Sequence, residues 1–139
     1  MWRFVSFLIA ILFVGCAETV TKEDLHLLNG YWQITKVEFS SGAIKEYTLG
    51  NTVDFIYLEE GKGYRKKVQP NLKGGFNTSD ASQNFEIRDS QGAQLMYYMG
   101  SETSWTERLI TLDANSFTVA NEEGVYYSYE RYEPLELSK

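Results

Sequence analysis

Leu28-Asn29-Gly30-Tyr31-Trp32-Gln33-Ile34-Thr35-Lys36-Val37 decides how the rest of the 139-residue chain is read. A short polar lead-in reaches Gly30, and a strand pattern begins directly after it. By the two-residue period of a strand, Trp32 and Ile34 share one face while Val37 and Phe39 share the other. All four turn inward only if the strand bulges near Thr35-Lys36, and barrel strands need such bends.

Upstream, Thr21 with Asp24 three residues later reads as a helix start, with an acid in the first turn. Leu25, Leu27 and Leu28 give that segment an apolar side, and Gly30 stops it, so one or two helical turns are predicted as a plug under a barrel. Downstream, strands are predicted over 31–39, 43–49, 52–58, 64–69, 82–89, 93–99, 104–113, 116–120 and 125–133. Turns at Ser40-Ser41-Gly42, Gly50-Asn51, 59–63, Ser90-Gln91-Gly92, Gly100, Ala114-Asn115 and 121–124 separate them. The longest break, 70–81, has two adjacent glycines, leaves room for a short strand at Gly75-Phe76-Asn77, and has the length of a lid. Short, evenly spaced strands without a long amphipathic helix predict an all-β fold. The expected architecture is a single antiparallel up-and-down barrel of about 8–10 strands with a short N-terminal helical turn.

Composition excludes several functions. Lys and Arg number 13 against 19 Asp and Glu, which argues against a nucleic-acid partner and against electrostatic docking on anionic lipid. The single cysteine, Cys16, permits no internal disulfide, and with the single histidine, His26, it leaves no His/Cys zinc site. No metal and no cofactor are expected. The acidic tips Glu59-Glu60 and Glu122-Glu123 lack the spaced oxygen ligands of a calcium loop. His26, between leucines, reads as structural or solvated.

No enzyme is expected, because no nucleophile–base pair is available. The strand carboxylates Asp54, Glu86, Glu107 and Glu130 are candidates for the inner face. Two of them sharing a pocket is the feature that would point to carboxylate hydrolysis. Of Arg65, Lys66 and Lys67, alternation sends at least one to the opposite face. An inward Arg65 or Lys66 would suit the acidic head of a fatty-acid-like ligand; the plainer reading is two exposed cations and one snorkelling stem.

The first residues carry the first resemblance. Met1-Trp2-Arg3 opens with a positive charge, and Phe4 to Val14 is apolar apart from Ser6, too short to span a bilayer. It ends in Leu12-Phe13-Val14-Gly15-Cys16, which resembles the bacterial lipobox. The resemblance implies cleavage before Cys16, acylation of that cysteine, and anchoring to a membrane by several acyl chains. Ala17, in place of an Asp, favours the outer membrane by the enterobacterial sorting rule. The organisation expected is a lipoprotein signal peptide at 1–15, the lipidated Cys16 and a tether to 21, a barrel over 22–134, and a tail at 135–139.

The second resemblance is to lipocalins. Gly30-Tyr31-Trp32 after a short helical lead-in is similar to their first-strand signature. The resemblance implies that Trp32 closes the barrel base and that an arginine of the last strand lies over its indole. Arg131, in Tyr129-Glu130-Arg131-Tyr132, stands in that place, and Arg108 is the weaker candidate. Tyr64 to Pro70, Trp105-Thr106-Glu107 and Tyr127 to Arg131 resemble pieces of the lipocalin-like lipoproteins of Bacteroidetes. A Thr-Asp-Tyr loop and a long C-terminal helix are missing.

The leading expectation is a membrane-anchored binding protein holding a small hydrophobic or amphipathic ligand, with Tyr57, Leu95, Tyr97, Trp105, Tyr127 and Tyr129 as wall candidates. The rival is a filled barrel working through protein contacts, for which an exposed Met96-Tyr98 patch would serve. A cavity of several hundred Å³ separates the two. The sequence names no protein partner.

Overall fold

The structure, a computed structural model, describes residues 19–48, 53–73, 75–78 and 81–133. The signal segment, Cys16, the Gly50-Asn51 turn and the 135–139 tail lie outside the described residues.

A bulge between Ile34 and Lys36 shapes the first strand, β1 (Gly30–Glu38). It resets the alternation, so that Trp32 and Ile34 before it and Val37 after it all face inward. Phe39 lies past the end of β1 and is 42% exposed. On one edge β1 pairs along its length with the last strand, β10 (Tyr126–Arg131). On the other edge its lower half, Gly30 to Trp32, pairs with β3 (Val53–Glu59), and its upper half, Lys36 to Glu38, pairs with β2 (Ile44–Glu46). The predicted 43–49 strand is therefore only three described residues long, all exposed, because it pairs at the rim and has no core to cover.

From β3 the chain meanders through β4 (Lys62–Pro70), β6 (Gln83–Ser90), β7 (Ala93–Met99), β8 (Ser104–Leu112) and β9 (Ser116–Asn121) to β10, every pair antiparallel. The β10–β1 pairing closes the circle, so β1, β3, β4, β6, β7, β8, β9 and β10 form an eight-stranded up-and-down barrel. Closure removes the open edges that invite aggregation. The 70–81 break does hold a short strand, β5 (Phe76–Thr78), which folds back onto the end of β4.

Two tight turns set the register of the middle. Glu60-Gly61 and Gln91-Gly92 have positive φ at both positions, the twist that suits a two-residue hairpin. They pair Glu59 with Lys62 and Ser90 with Ala93, and each strand after them inherits its inward face from that count.

The lower half of the interior is packed solid. Trp32, Leu28, Ile56, Phe85, Met96, Phe117 and Val119 are each at most 1% exposed. Burying each large apolar side chain of this kind contributes about 1.5–3 kcal/mol. Below them runs a 3₁₀ helix, Lys22–Leu28. The Asp24 carboxylate accepts hydrogen bonds from the Thr21 amide at 3.2 Å and the Thr21 hydroxyl at 3.0 Å, which fixes the start of the helix. Leu25 and Leu28 point up into the core, while His26 is exposed and its ring meets the Glu23 carbonyl of its own turn at 2.7 Å.

Candidate functional site

The closed end is built on one arginine. The Arg131 guanidinium lies 4.1 Å from the centre of the Trp32 indole. It donates to three carbonyls: Leu27 at 2.7 Å, Asn29 at 2.9 Å and Ala114 at 2.6 Å. Those carbonyls belong to the lead-in and to the β8–β9 turn, so one planar cation ties three segments under the barrel. The Trp32 indole N–H donates to Leu28 at 2.8 Å, and its ring meets Phe117 edge-on at 4.7 Å. Gly30 has φ +126, and a Cβ there would lie 2.5 Å from the guanidinium, so the glycine before the tryptophan is the room that Arg131 occupies. Arg108 is exposed on the outer face.

The other end is open. A cavity of about 460 Å³ enters there, within the usual range for small-molecule pockets. Its mouth includes Lys67, Ala81, Ser82, Gln83 and Asn121, and its wall includes Trp105, Tyr127, Tyr129 and Tyr98. Gln83, Tyr98, Trp105, Asn121 and Tyr127 come from the strand ends away from the 3₁₀ helix, and Tyr129 sits lower, stacked on Phe117.

A charged cluster sits in the wall. Arg65 is a nearly buried cation, with 11% of its side chain exposed. It donates to Asp54 at 2.7 Å and to the Tyr98 hydroxyl at 3.2 Å, and it lies 4.8 Å from the Tyr129 ring centre. Asp54, 9% exposed in its side chain, also receives Lys67 at 3.3 Å, but the Lys67 head is 75% exposed at the mouth. Glu107 comes from the facing strand β8. Its Oε2 is buried without a hydrogen-bond partner among the described residues. Burial pushes the Glu107 carboxyl above the usual carboxylate range, against the opposing pull of Arg65 and of a hydrogen bond with Trp105. Burial also raises the phenols of Tyr98 and Tyr129, so both stay neutral donors. Burial disfavours the Arg65 charge, but the surrounding Tyr129, Tyr98, Asp54 and Glu107 outweigh it and hold the guanidinium ionised.

Three of the six wall candidates, Trp105, Tyr127 and Tyr129, line the cavity. Tyr57, Leu95 and Tyr97 do not, and the reason is register. In β3 the inward set is Asp54, Ile56 and Leu58, which turns Tyr57 out, where it donates to Glu59 at 2.6 Å and stacks on Tyr64. Strand β7 is apolar on both faces, and its inward set is Gln94, Met96 and Tyr98. Leu95 and Tyr97 therefore lie outside, with Arg88 over the Tyr97 ring at 3.7 Å. The expected exposed Met96-Tyr98 patch is corrected by the same fact, since both are at most 1% exposed. Of the three consecutive cations, Arg65 is inside, Lys67 reaches the mouth, and Lys66 turns out over Phe55 and Tyr64. Among the carboxylates, Asp54 and Glu107 share the cavity, while Glu86 pairs with Arg88 outside and Glu130 is exposed. Arg65 separates their environments, since Asp54 is held by two cations and Glu107 is not. No cluster of three metal-ligating side chains occurs among the described residues.

The chain matches no family model and no curated protein. Among solved structures, a lipocalin-like protein from Bacteroides uniformis ATCC 8492 is similar at 12% identity, over 76% of this chain and 99% of that one, with a TM-score of 0.49. The barrel assignment rests on the strand pairing itself.

Proposed function

We propose that this chain is a lipocalin-like binding protein that holds a small amphipathic molecule in the open end of its barrel, and that the two carboxylates sharing the cavity do not act as a hydrolase pair, because Asp54 is engaged by Arg65 and Lys67. The observation that carries the reading is a cavity of about 460 Å³ whose aromatic wall contains a buried Arg65–Asp54 pair and the unpartnered Glu107 oxygen. Apolar pockets with a few placed polar groups orient a ligand by its polar end. Trp105, Tyr127 and Tyr129 would face the apolar part. Native mass spectrometry of the mature chain, taken from its own host's envelope, is expected to show a discrete extra mass that denaturation removes. A bare mass with no extractable small molecule would favour the filled barrel acting through protein contacts.

The anchor belongs to the same proposal. The apolar run ending in Gly15-Cys16 supports a lipoprotein tethered to the bacterial outer membrane through Cys16, which puts the barrel within reach of lipid-derived molecules. Cells fed an alkyne fatty acid are expected to label the protein, and Cys16→Ser is expected to abolish the label and move the protein out of the membrane fraction. Labelling that survives the substitution would sink the anchor.

A further inference from the structure

The polar end of the cavity has an uneven charge balance, and it defines what the ligand carries. Arg65 and Lys67 are set against Asp54 and Glu107, while Lys66, which also borders the cavity, turns its ammonium away over Phe55 and Tyr64. With both carboxylates ionised the cluster is neutral; with a proton on Glu107 it has one positive charge to spare. Asp54 is already matched by Arg65 at 2.7 Å and Lys67 at 3.3 Å. Glu107 has no cation within ion-pair distance among the described residues, and its buried Oε2 has no donor. An ionised carboxylate left like that is costly, whereas a protonated one supplies a donor to whatever occupies the cavity.

A cationic ligand head is disfavoured. It would approach two cations, and the Tyr129 face that would best receive it is already taken by Arg65 at 4.8 Å. A negative head meets the opposite situation. The Arg65 guanidinium carries five N–H groups, of which Asp54, Tyr98 and Tyr129 receive some and not all, and the Lys67 ammonium stands at the mouth. The groups that face Glu107 across the cavity are Asp54 from β3, Arg65 and Lys67 from β4, Tyr98 from β7, and Tyr127 and Tyr129 from β10. Among these only Asp54 and Glu107 are carboxylic acids, and Asp54 is the one paired with two cations, Arg65 and Lys67.

Resting on the binding reading above, we propose that the pocket takes the singly charged anionic head of an amphipathic molecule beside Arg65, and that Glu107 gains one proton from solvent as that head binds. The incoming negative charge and the proton cancel, so the cluster returns to neutrality with every buried oxygen partnered.

The test uses the mature chain in nanodiscs of neutral lipid, with octanoate, octanol and octylammonium as probes followed by tryptophan fluorescence. Octanoate is expected to bind at least about tenfold more tightly than the other two, and to weaken by up to about tenfold per unit as pH rises through the Glu107 titration. Glu107→Gln is expected to bind octanoate with that pH dependence gone. Calorimetry on the unsubstituted chain, in two buffers of different ionisation heat and at a pH above the Glu107 titration of the empty barrel, gives the same answer without a variant: about one proton taken up per octanoate. Equal binding of all three probes overturns the inference while leaving the barrel a binder. So does a zero proton count, or a pH slope that Glu107→Gln does not change. If none of the probes binds, the inference falls, and the native mass spectrum decides separately whether the binding reading falls with it.

Discussion

Trp32→Ala is expected to cost about 3–5 kcal/mol of unfolding free energy, the range for removing a fully buried large aromatic. Trp32 is 0% exposed and fills the barrel base between Phe117 and the Arg131 guanidinium. Three losses coincide in the variant: the apolar volume, the indole hydrogen bond to Leu28, and the face on which Arg131 rests. Arg131 keeps its carbonyl partners but stands over a void, and its stem has nothing to pack on. Urea unfolding followed by circular dichroism measures the change, read from the midpoint at constant slope. Trp32→Phe is expected to recover part of the loss, because a ring remains beneath the cation while the indole hydrogen bond does not. A Trp32→Ala cost below about 1 kcal/mol would mean that the base is held by the 3₁₀ helix alone, and that the tryptophan–arginine contact is incidental.

The base was legible through the resemblance to lipocalins, which implies an arginine of the last strand over the first-strand tryptophan. Gly-x-Trp alone is a common pattern; its place at the head of the first strand, with Arg131 in the last, is what carried the resemblance. The bulge was legible from the residue pattern, since four apolar residues at 32, 34, 37 and 39 cannot lie on one face of a regular strand. The structure takes three of them inward and leaves Phe39 at the rim, a boundary effect that local pattern does not carry. The segment at 43–49 was overestimated for the opposite reason. Alternation alone says nothing about whether a strand has a neighbour on each side.

The cavity was half legible, and one hairpin decides which half. Reading 59–63 as a five-residue tip leaves the register of β3 against β4 open. Reading Glu60-Gly61 as a two-residue turn fixes it: Glu59 opposite Lys62, then Ile56 opposite Arg65, and Asp54 opposite Lys67. With Ile56 and Leu58 inside, Asp54 and Arg65 must also be inside, and Tyr57 must be out. The Gly61 position was the available signal. For β7 the side chains give no phase, because Leu95, Met96, Tyr97, Tyr98 and Met99 suit either face. The signal lies in the turn before it: Gln91-Gly92 read as a two-residue turn sets Ser90 opposite Ala93 and so Phe85 opposite Tyr98.

Breaking the Arg65–Asp54 pair from one side is expected to be the other large loss. Arg65→Met leaves the Asp54 carboxylate, 9% exposed, with only the mostly exposed Lys67 beside it. Asp54→Leu leaves a guanidinium buried among Tyr98, Tyr129 and the unpartnered Glu107 oxygen. Each single substitution is expected to cost about 3–5 kcal/mol, because an uncompensated buried charge remains. The double substitution removes both charges and is expected to fall well short of the sum of the two, so the cycle reports strong coupling by urea unfolding. Additive losses would mean that the pair is already solvated through the mouth. Glu107 gives a second readout. Its carboxyl is raised in the folded barrel, so its contribution is fully present below the unfolded value near 4.5 and is lost as pH rises through the folded value. Arg65 is the charge that restrains that rise. Arg65→Met should therefore push the Glu107 carboxyl higher still, and the variant's stability should fall more steeply with pH above 4.5 than that of the unsubstituted chain. An unchanged slope would show that Arg65 and Glu107 do not share one electrostatic site, even though they line one cavity.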